Sequence, residues 1–153
     1  MTRSFALLAL VAVLSACDSG VEPPTAEVSI GRAYVATTLA LRDADSGDVV
    51  FDYLAHGSAI QVEFLNESGF EASLFVPVEA LIASGETHDV DHDIDESIAG
   101  SYRQSGGALT FTPDGFSDTF FTDEGWTIAA DGSSVRYEAA EQGRRIEVVL
   151  TRR

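Results

Sequence analysis

Residues 59–76 read Ala59-Ile60-Gln61-Val62-Glu63-Phe64-Leu65-Asn66-Glu67-Ser68-Gly69-Phe70-Glu71-Ala72-Ser73-Leu74-Phe75-Val76, and their pattern decides the fold. Ile60, Val62 and Phe64 alternate with Gln61 and Glu63, which puts apolar side chains on one face of an extended strand and polar ones on the other. Asn66 to Gly69 is turn chemistry, and the run Phe70 to Val76 returns as a second strand, so the segment is an antiparallel hairpin.

The same grammar continues in both directions. Downstream, Leu109 and Phe111 alternate with Thr110 and Thr112. Trp126 and Ile128 precede the turn Asp131-Gly132-Ser133, and Val135, Tyr137 and Ala139 alternate with Arg136 and Glu138. Gly143 then turns the chain into Ile146, Val148 and Leu150, a closing strand. Upstream, Ala33 to Leu41 and Val49 to Tyr53 flank the polar turn Asp43 to Asp48; between the deciding hairpin and Leu109, Ile98 to Tyr102 precedes Ser105-Gly106-Gly107. No helix-length pattern is present, although Val78 to Ala83 allows one helical turn over an end. The chain is expected to be all-β, with eight or nine antiparallel strands. Consecutive hairpins in this number suit an up-and-down barrel, which has no open edge, and a β-sandwich is the alternative.

The order of these pieces resembles small lipocalin-like domains of bacterial envelope proteins. The matching segments are Ala59 to Gly69 running into Ser73-Leu74-Phe75-Val76-Pro77, then Ile98-Ala99-Gly100-Ser101-Tyr102 with Gly106 and Leu109-Thr110-Phe111, and Arg145 to Arg152. Tyr102 stands where that family usually has tryptophan. The resemblance spans residues 31–152 and implies a lipocalin-like barrel; the family name implies small apolar ligands.

The first residues carry a second signal. Arg3 and the amino terminus precede an apolar run from Phe5 to Leu14, too short to span a bilayer, which needs about 20 apolar residues, but of signal-peptide form. Leu14-Ser15-Ala16-Cys17 follows and resembles the lipobox of bacterial lipoproteins: an aliphatic residue, two small ones, then the cysteine that carries the diacylglyceryl group. Cys17 is the single cysteine of the chain, so an intrachain disulfide is excluded. The expected organisation is a signal peptide at 1–16, a lipidated Cys17 with a flexible tether to residue 29, and one barrel domain at 30–153. Gly20, Pro23 and Pro24 give the tether its composition. The expected location is the cell envelope, with the membrane as partner through the acyl chains on Cys17. An aspartate after the lipidated cysteine marks inner-membrane retention in some bacteria only, so Asp18 leaves either membrane open.

Without residues 1–16 the chain keeps eight arginines, no lysine and 25 acids, a formal charge of −17. Such a balance repels polyanions and excludes nucleic acid as a partner. The acids concentrate between Glu86 and Glu96, where Asp89, Asp91, Asp93 and Asp95 alternate along the chain around His88 and His92. Alternating acids offer oxygen ligands to calcium, yet an EF-hand counted from Asp89 would need glycine at Ile94 and glutamate at Gly100. Residues 86–97 therefore read as a solvated acidic loop of little weight in folding, and no metal site is assigned. Zinc on His88 and His92 would require a helix that this segment does not favour. His56, beside Gly57, reads as an exposed turn residue.

No nucleophile elbow, phosphate-binding glycine loop or zinc-binding helix motif occurs, so no catalytic residue and no cofactor is assigned, and the chain is not expected to be an enzyme. Phe64, Phe75, Phe111, Phe120, Phe121, Trp126 and Tyr137 are expected on strands. Of these, Phe64, Phe111, Trp126 and Tyr137 are the candidate ligand-contacting residues, if the barrel holds a small apolar ligand rather than its own side chains. The function read from the sequence is a structural or interaction module, with an envelope protein as possible partner; apolar ligand binding is the alternative.

Overall fold

A computed structural model of the chain describes residues 26–85, 91–115, 120–122 and 124–153. The strands are β1 (Ala33–Asp43), β2 (Val49–Asp52), β3 (Ala59–Phe64), β4 (Gly69–Val76), β5 (Ile94–Ser105), β6 (Ala108–Pro113), β7 (Trp126–Ile128), β8 (Ser134–Glu141) and β9 (Arg144–Arg152). Among the described residues a single short α-helix, α1 (Val78–Ser84), lies between β4 and β5. Each of β3 to β8 pairs antiparallel with the next, β3 pairs with β1, and β9 returns to β1. Eight strands thus close an antiparallel barrel, and β2 is a ninth strand outside the ring, paired to the second half of β1 through Ala40 and Asp52. The barrel and not the sandwich is the fold: closure pairs the last strand with the first and leaves no long edge.

The deciding hairpin has the expected register. Ile60 faces Leu74, Val62 faces Ala72 and Phe64 faces Phe70, and all six are buried on the inner face. Its turn is held by Asn66, whose Oδ1 accepts the backbone N–H groups of Ser68 at 3.0 Å and Gly69 at 2.8 Å. The Tyr102 hydroxyl donates to the Asn66 carbonyl at 2.8 Å, which ties β5 to the same turn. Burial pushes the Tyr102 phenol above its usual pKa, with the charge of Glu67 adding to the shift.

Strand β1 departs from simple alternation. Tyr34 and Ala36 face inward, the register against β9 shifts between Ala36 and Thr38, and from there Leu39 and Leu41 face inward. A bulge at Thr37 switches the inward parity from even to odd residues, which is how an apolar stretch without a clean period of two keeps its large side chains in the core.

The two ends of the barrel are closed differently. At the end carrying the Asn66 turn, here called the turn end, residues 26–29 lie across the opening. Val28 is buried and its N–H donates to Gln104 Oε1 at 3.1 Å. The Tyr34 hydroxyl accepts from the Ser29 N–H at 2.8 Å and donates to the Gly132 carbonyl at 2.7 Å. Ala26 and Val28, which precede the boundary expected from composition at residue 30, are packed against the core, and Val28 has a hydrogen-bond partner that a local reading cannot supply.

The opposite end, the helix end, is covered by α1. Ala80 and Leu81 enter the core while Ile82 faces outward, and the Ser84 carbonyl accepts from Arg144 Nη1 at 3.2 Å. The N–H of Val78, at the start of α1, donates to Asp93 Oδ1 at 2.9 Å. Strand β5 begins at Ile94, with Asp95 opposite Phe75 and Glu96 opposite Leu74. Residues 93–97 thus belong to the fold, which corrects the reading of 86–97 as one solvated loop; residues 86–90 lie outside the described residues. Replacing Asp93 by alanine is expected to cost about 1 kcal/mol, the usual weight of a helix-start cap, measured as a lowered urea midpoint at unchanged slope. An unchanged midpoint would remove the cap from the account.

The polar turn between β1 and β2 holds itself together. Asp43 Oδ1 accepts the N–H groups of Ser46 at 2.8 Å and Asp45 at 3.0 Å, and the Ser46 bond foremost holds the carboxyl below its usual pKa. The folded-state pKa is depressed, so this contribution is present above the ordinary aspartate range and is lost as pH falls through the lowered value.

Candidate functional site

Closure of the barrel brings the four candidate aromatics into one chain of rings. Phe64 stacks towards Phe111 at 6.1 Å between centroids, Phe111 meets Trp126 edge to face at 5.4 Å, and Trp126 stacks on Tyr137 at 5.1 Å. All four are buried, Trp126 to 1 % exposure. They come from β3, β6, β7 and β8, so the chain of contacts crosses the interior from one wall to another.

Further rings fill the space around them. Phe70 meets Phe111 at 4.7 Å, Tyr102 meets Phe64 at 4.8 Å, Tyr34 meets Phe64 at 5.3 Å, and Phe121 lies parallel to Trp126 at 5.5 Å. Separations of this size are ring contacts with no room for a ligand between the partners. Tyr34, Phe70 and Tyr102 were not among the sequence candidates. The alternation Phe70, Ala72, Leu74, Val76 already marks Phe70 as inward, whereas Tyr34 precedes the bulge that scrambles the pattern of β1. Phe120 and Phe121 lie on a 3-10 turn, Phe120–Thr122, and not on a strand. Phe75 faces outward on β4 at 36 % exposure.

Cys17 lies outside the described residues, as do His88 and Asp89. Of the acidic segment, Asp91 is exposed and sits 2.8 Å from the His92 ring, a contact that holds its carboxyl below the usual pKa. Asp93 is engaged by α1, and Asp95 belongs to β5. Among the described residues no group of three or more His, Cys, Asp or Glu side chains is placed to hold a metal ion. His56 is exposed on the 3-10 turn Leu54–His56, where its ring stacks on Phe51 at 4.4 Å and its Nδ1 lies 2.8 Å from the Asp52 carbonyl.

Glu147 is the buried carboxylate of the described residues, and it sits on the outer face of β9. One of its oxygens is bound by Arg42 and the other accepts from Arg136 at 2.8 Å, while Arg136 also reaches Glu138. Both oxygens are thus occupied, and the group links β1, β8 and β9 across the closing seam. Two open grooves also lie on the outer wall. One of about 440 Å³ is bordered by Gln61, Glu63, Glu71 and Ser73, and one of about 560 Å³ by Asp95, Glu96 and Asp114. Both have polar or acidic rims.

No protein-family model, no curated protein and no solved structure matches this chain. The class stands on the geometry alone: a closed eight-stranded antiparallel barrel, compatible with a lipocalin-like fold, whose described interior is packed with its own rings.

Proposed function

We propose that the chain is a bacterial lipoprotein, acylated on Cys17 and held to a membrane of the cell envelope, whose lipocalin-like barrel serves as a non-catalytic structural or interaction module. The lipobox-like Leu14-Ser15-Ala16-Cys17 supports the anchor. The ring chain from Phe64 to Tyr137 carries the reading of the barrel, since an interior occupied by its own side chains leaves the outer surface to do the work. The occupied oxygens of Glu147 favour a tie between strands over acid–base chemistry.

The anchor is tested by Cys17→Ser. The serine variant is expected to lose acylation and move wholly from the detergent to the aqueous phase, with an unchanged melting temperature, because Cys17 is eleven residues from Val28, the earliest buried residue of those described. A serine variant that still enters the detergent phase would overturn the reading.

One observation favours the second reading, a small apolar ligand inside the barrel with Phe64, Phe111, Trp126 and Tyr137 as its contacts. Strand β7 has only 3 residues against 8 in β8, and beyond β7 the turn carrying Phe121 packs over the helix end of that wall. Displacing Phe121, which is fully buried against Trp126 and Phe111, would open the interior there.

A further inference from the structure

We infer that the turn end of the barrel rests on the membrane surface, with Ile30 and Leu65 at the acyl boundary, Arg32, Arg152 and Arg153 on anionic phospholipid headgroups, and the acidic helix end turned away. This orientation rests on the lipid-anchor reading above and adds to it the face that meets the bilayer.

Ala26 lies at the turn end, since Val28 and Ser29 are bonded to Gln104 and Tyr34 there. Nine residue steps separate Ala26 from Cys17, a reach of at most about 30 Å for a fully extended chain. Strand β5 alone has 12 residues, and at ordinary strand rise and barrel tilt it spans about 30 Å along the axis. Bringing the helix end to the bilayer would therefore stretch the whole tether along the barrel wall, at a large cost in chain entropy. Presenting the turn end requires no such stretching.

That end also has the matching chemistry. Ile30 is 50 % and Leu65 43 % exposed, and the hydrogen bond from the Gly31 N–H to the Phe64 carbonyl, 2.7 Å, holds their backbones side by side. Arg32, Arg152 and Arg153 are exposed around them, Arg152 being oriented by a 2.7 Å bond to Ser29 Oγ. Glu27, Glu67 and Asp131 share this end, so it is close to charge balance.

The helix end, by contrast, carries Asp43, Asp45, Asp48, Asp52, Glu79 and Asp93 among its acids. Two of its arginines are engaged within the protein, Arg42 by Glu147 and Arg144 by the Ser84 carbonyl. A chain of charge −17 tied to an anionic surface lowers its repulsion by turning this pole outward. The acyl chains supply the affinity, and the arginines and the apolar pair set the orientation.

The experiment uses the full acylated chain in phosphatidylcholine vesicles with added phosphatidylglycerol. In the acylated chain the thiol of Cys17 is consumed as a thioether, so Leu65→Cys or Ile82→Cys each provides a unique site for a nitroxide. The label at 65 is expected to be several-fold less accessible to a water-soluble nickel relaxant than the label at 82. Arg32→Glu combined with Arg153→Glu is expected to raise accessibility at 65 several-fold without releasing the protein, because the acyl chains still hold it. Equal accessibility at 65 and 82 on vesicle-bound protein, or no response to the charge reversal, overturns the orientation and leaves the anchor standing. A chain that carries no acyl group and does not sediment with the vesicles overturns both.

Discussion

Replacing Trp126 by alanine is expected to lower folding stability by about 3 to 5 kcal/mol, the range for removing a large aromatic from a packed core. The indole is 1 % exposed and touches Phe111, Phe121 and Tyr137. Its removal takes one contact from each of those rings and leaves a space among them, and closed strands on every side restrict how far they can collapse into it. Urea unfolding of the two proteins measures the difference. A loss under about 1 kcal/mol would mean that the rings are not packed as the centroid distances indicate.

The same residue separates the two readings of the interior. Trp126 is the single tryptophan of the chain, so its emission reports on the core without interference. A buried indole emits at short wavelength, and in a barrel filled by its own rings added fatty acids leave both the emission and the melting temperature unchanged. Saturable quenching, with a melting temperature that climbs with ligand concentration, would instead establish a ligand cavity. Weakening of that binding by substitutions at Phe64 or Phe111 would place the ligand among the ring chain.

The barrel was legible because its strands obey two local rules at once: period-two alternation, and turns rich in Gly, Asn and Asp at the right spacing. Residues 59–76 satisfy both, and the register of β3 against β4 is the one their alternation requires. What was not legible depends on partners distant in sequence. Val28 is buried in the core, and its N–H is met by Gln104, 76 positions away. Asp93 becomes a cap only because the barrel brings the start of α1 to it. The bulge at Thr37 hides the inward parity of β1, and the run Phe120-Phe121 resembles a strand locally while forming a turn over short β7. The four candidate aromatics were identifiable as inward-facing from alternation. Their mutual contact follows from closure, which pattern alone does not specify.

Gly100 is a further position whose weight comes from its neighbours on the adjacent strands, and Gly100→Ala is expected to destabilise the barrel by about 3 kcal/mol, the upper part of the usual range for overpacking. Gly100 pairs with Phe70 on one side and Pro113 on the other. A Cβ at this position would lie 2.4 Å from the Thr112 carbonyl oxygen, 2.8 Å from Pro113 Cα and 3.0 Å from the edge of the Phe70 ring. The first two are backbone atoms of β6, which cannot rotate away as a side chain can. Relief therefore requires β6 to move off β5, and with it Phe111, the ring that contacts Phe64, Phe70, Phe121 and Trp126. The expected signature is a lowered urea midpoint together with a red shift of Trp126 emission, because displacing Phe111 disturbs the packing of the indole. Adding Phe70→Leu distinguishes the causes. It removes the ring edge but neither backbone contact, so it should restore little of the lost stability. Full restoration by the double substitution would mean that the ring and not the backbone of β6 sets the requirement for glycine at position 100.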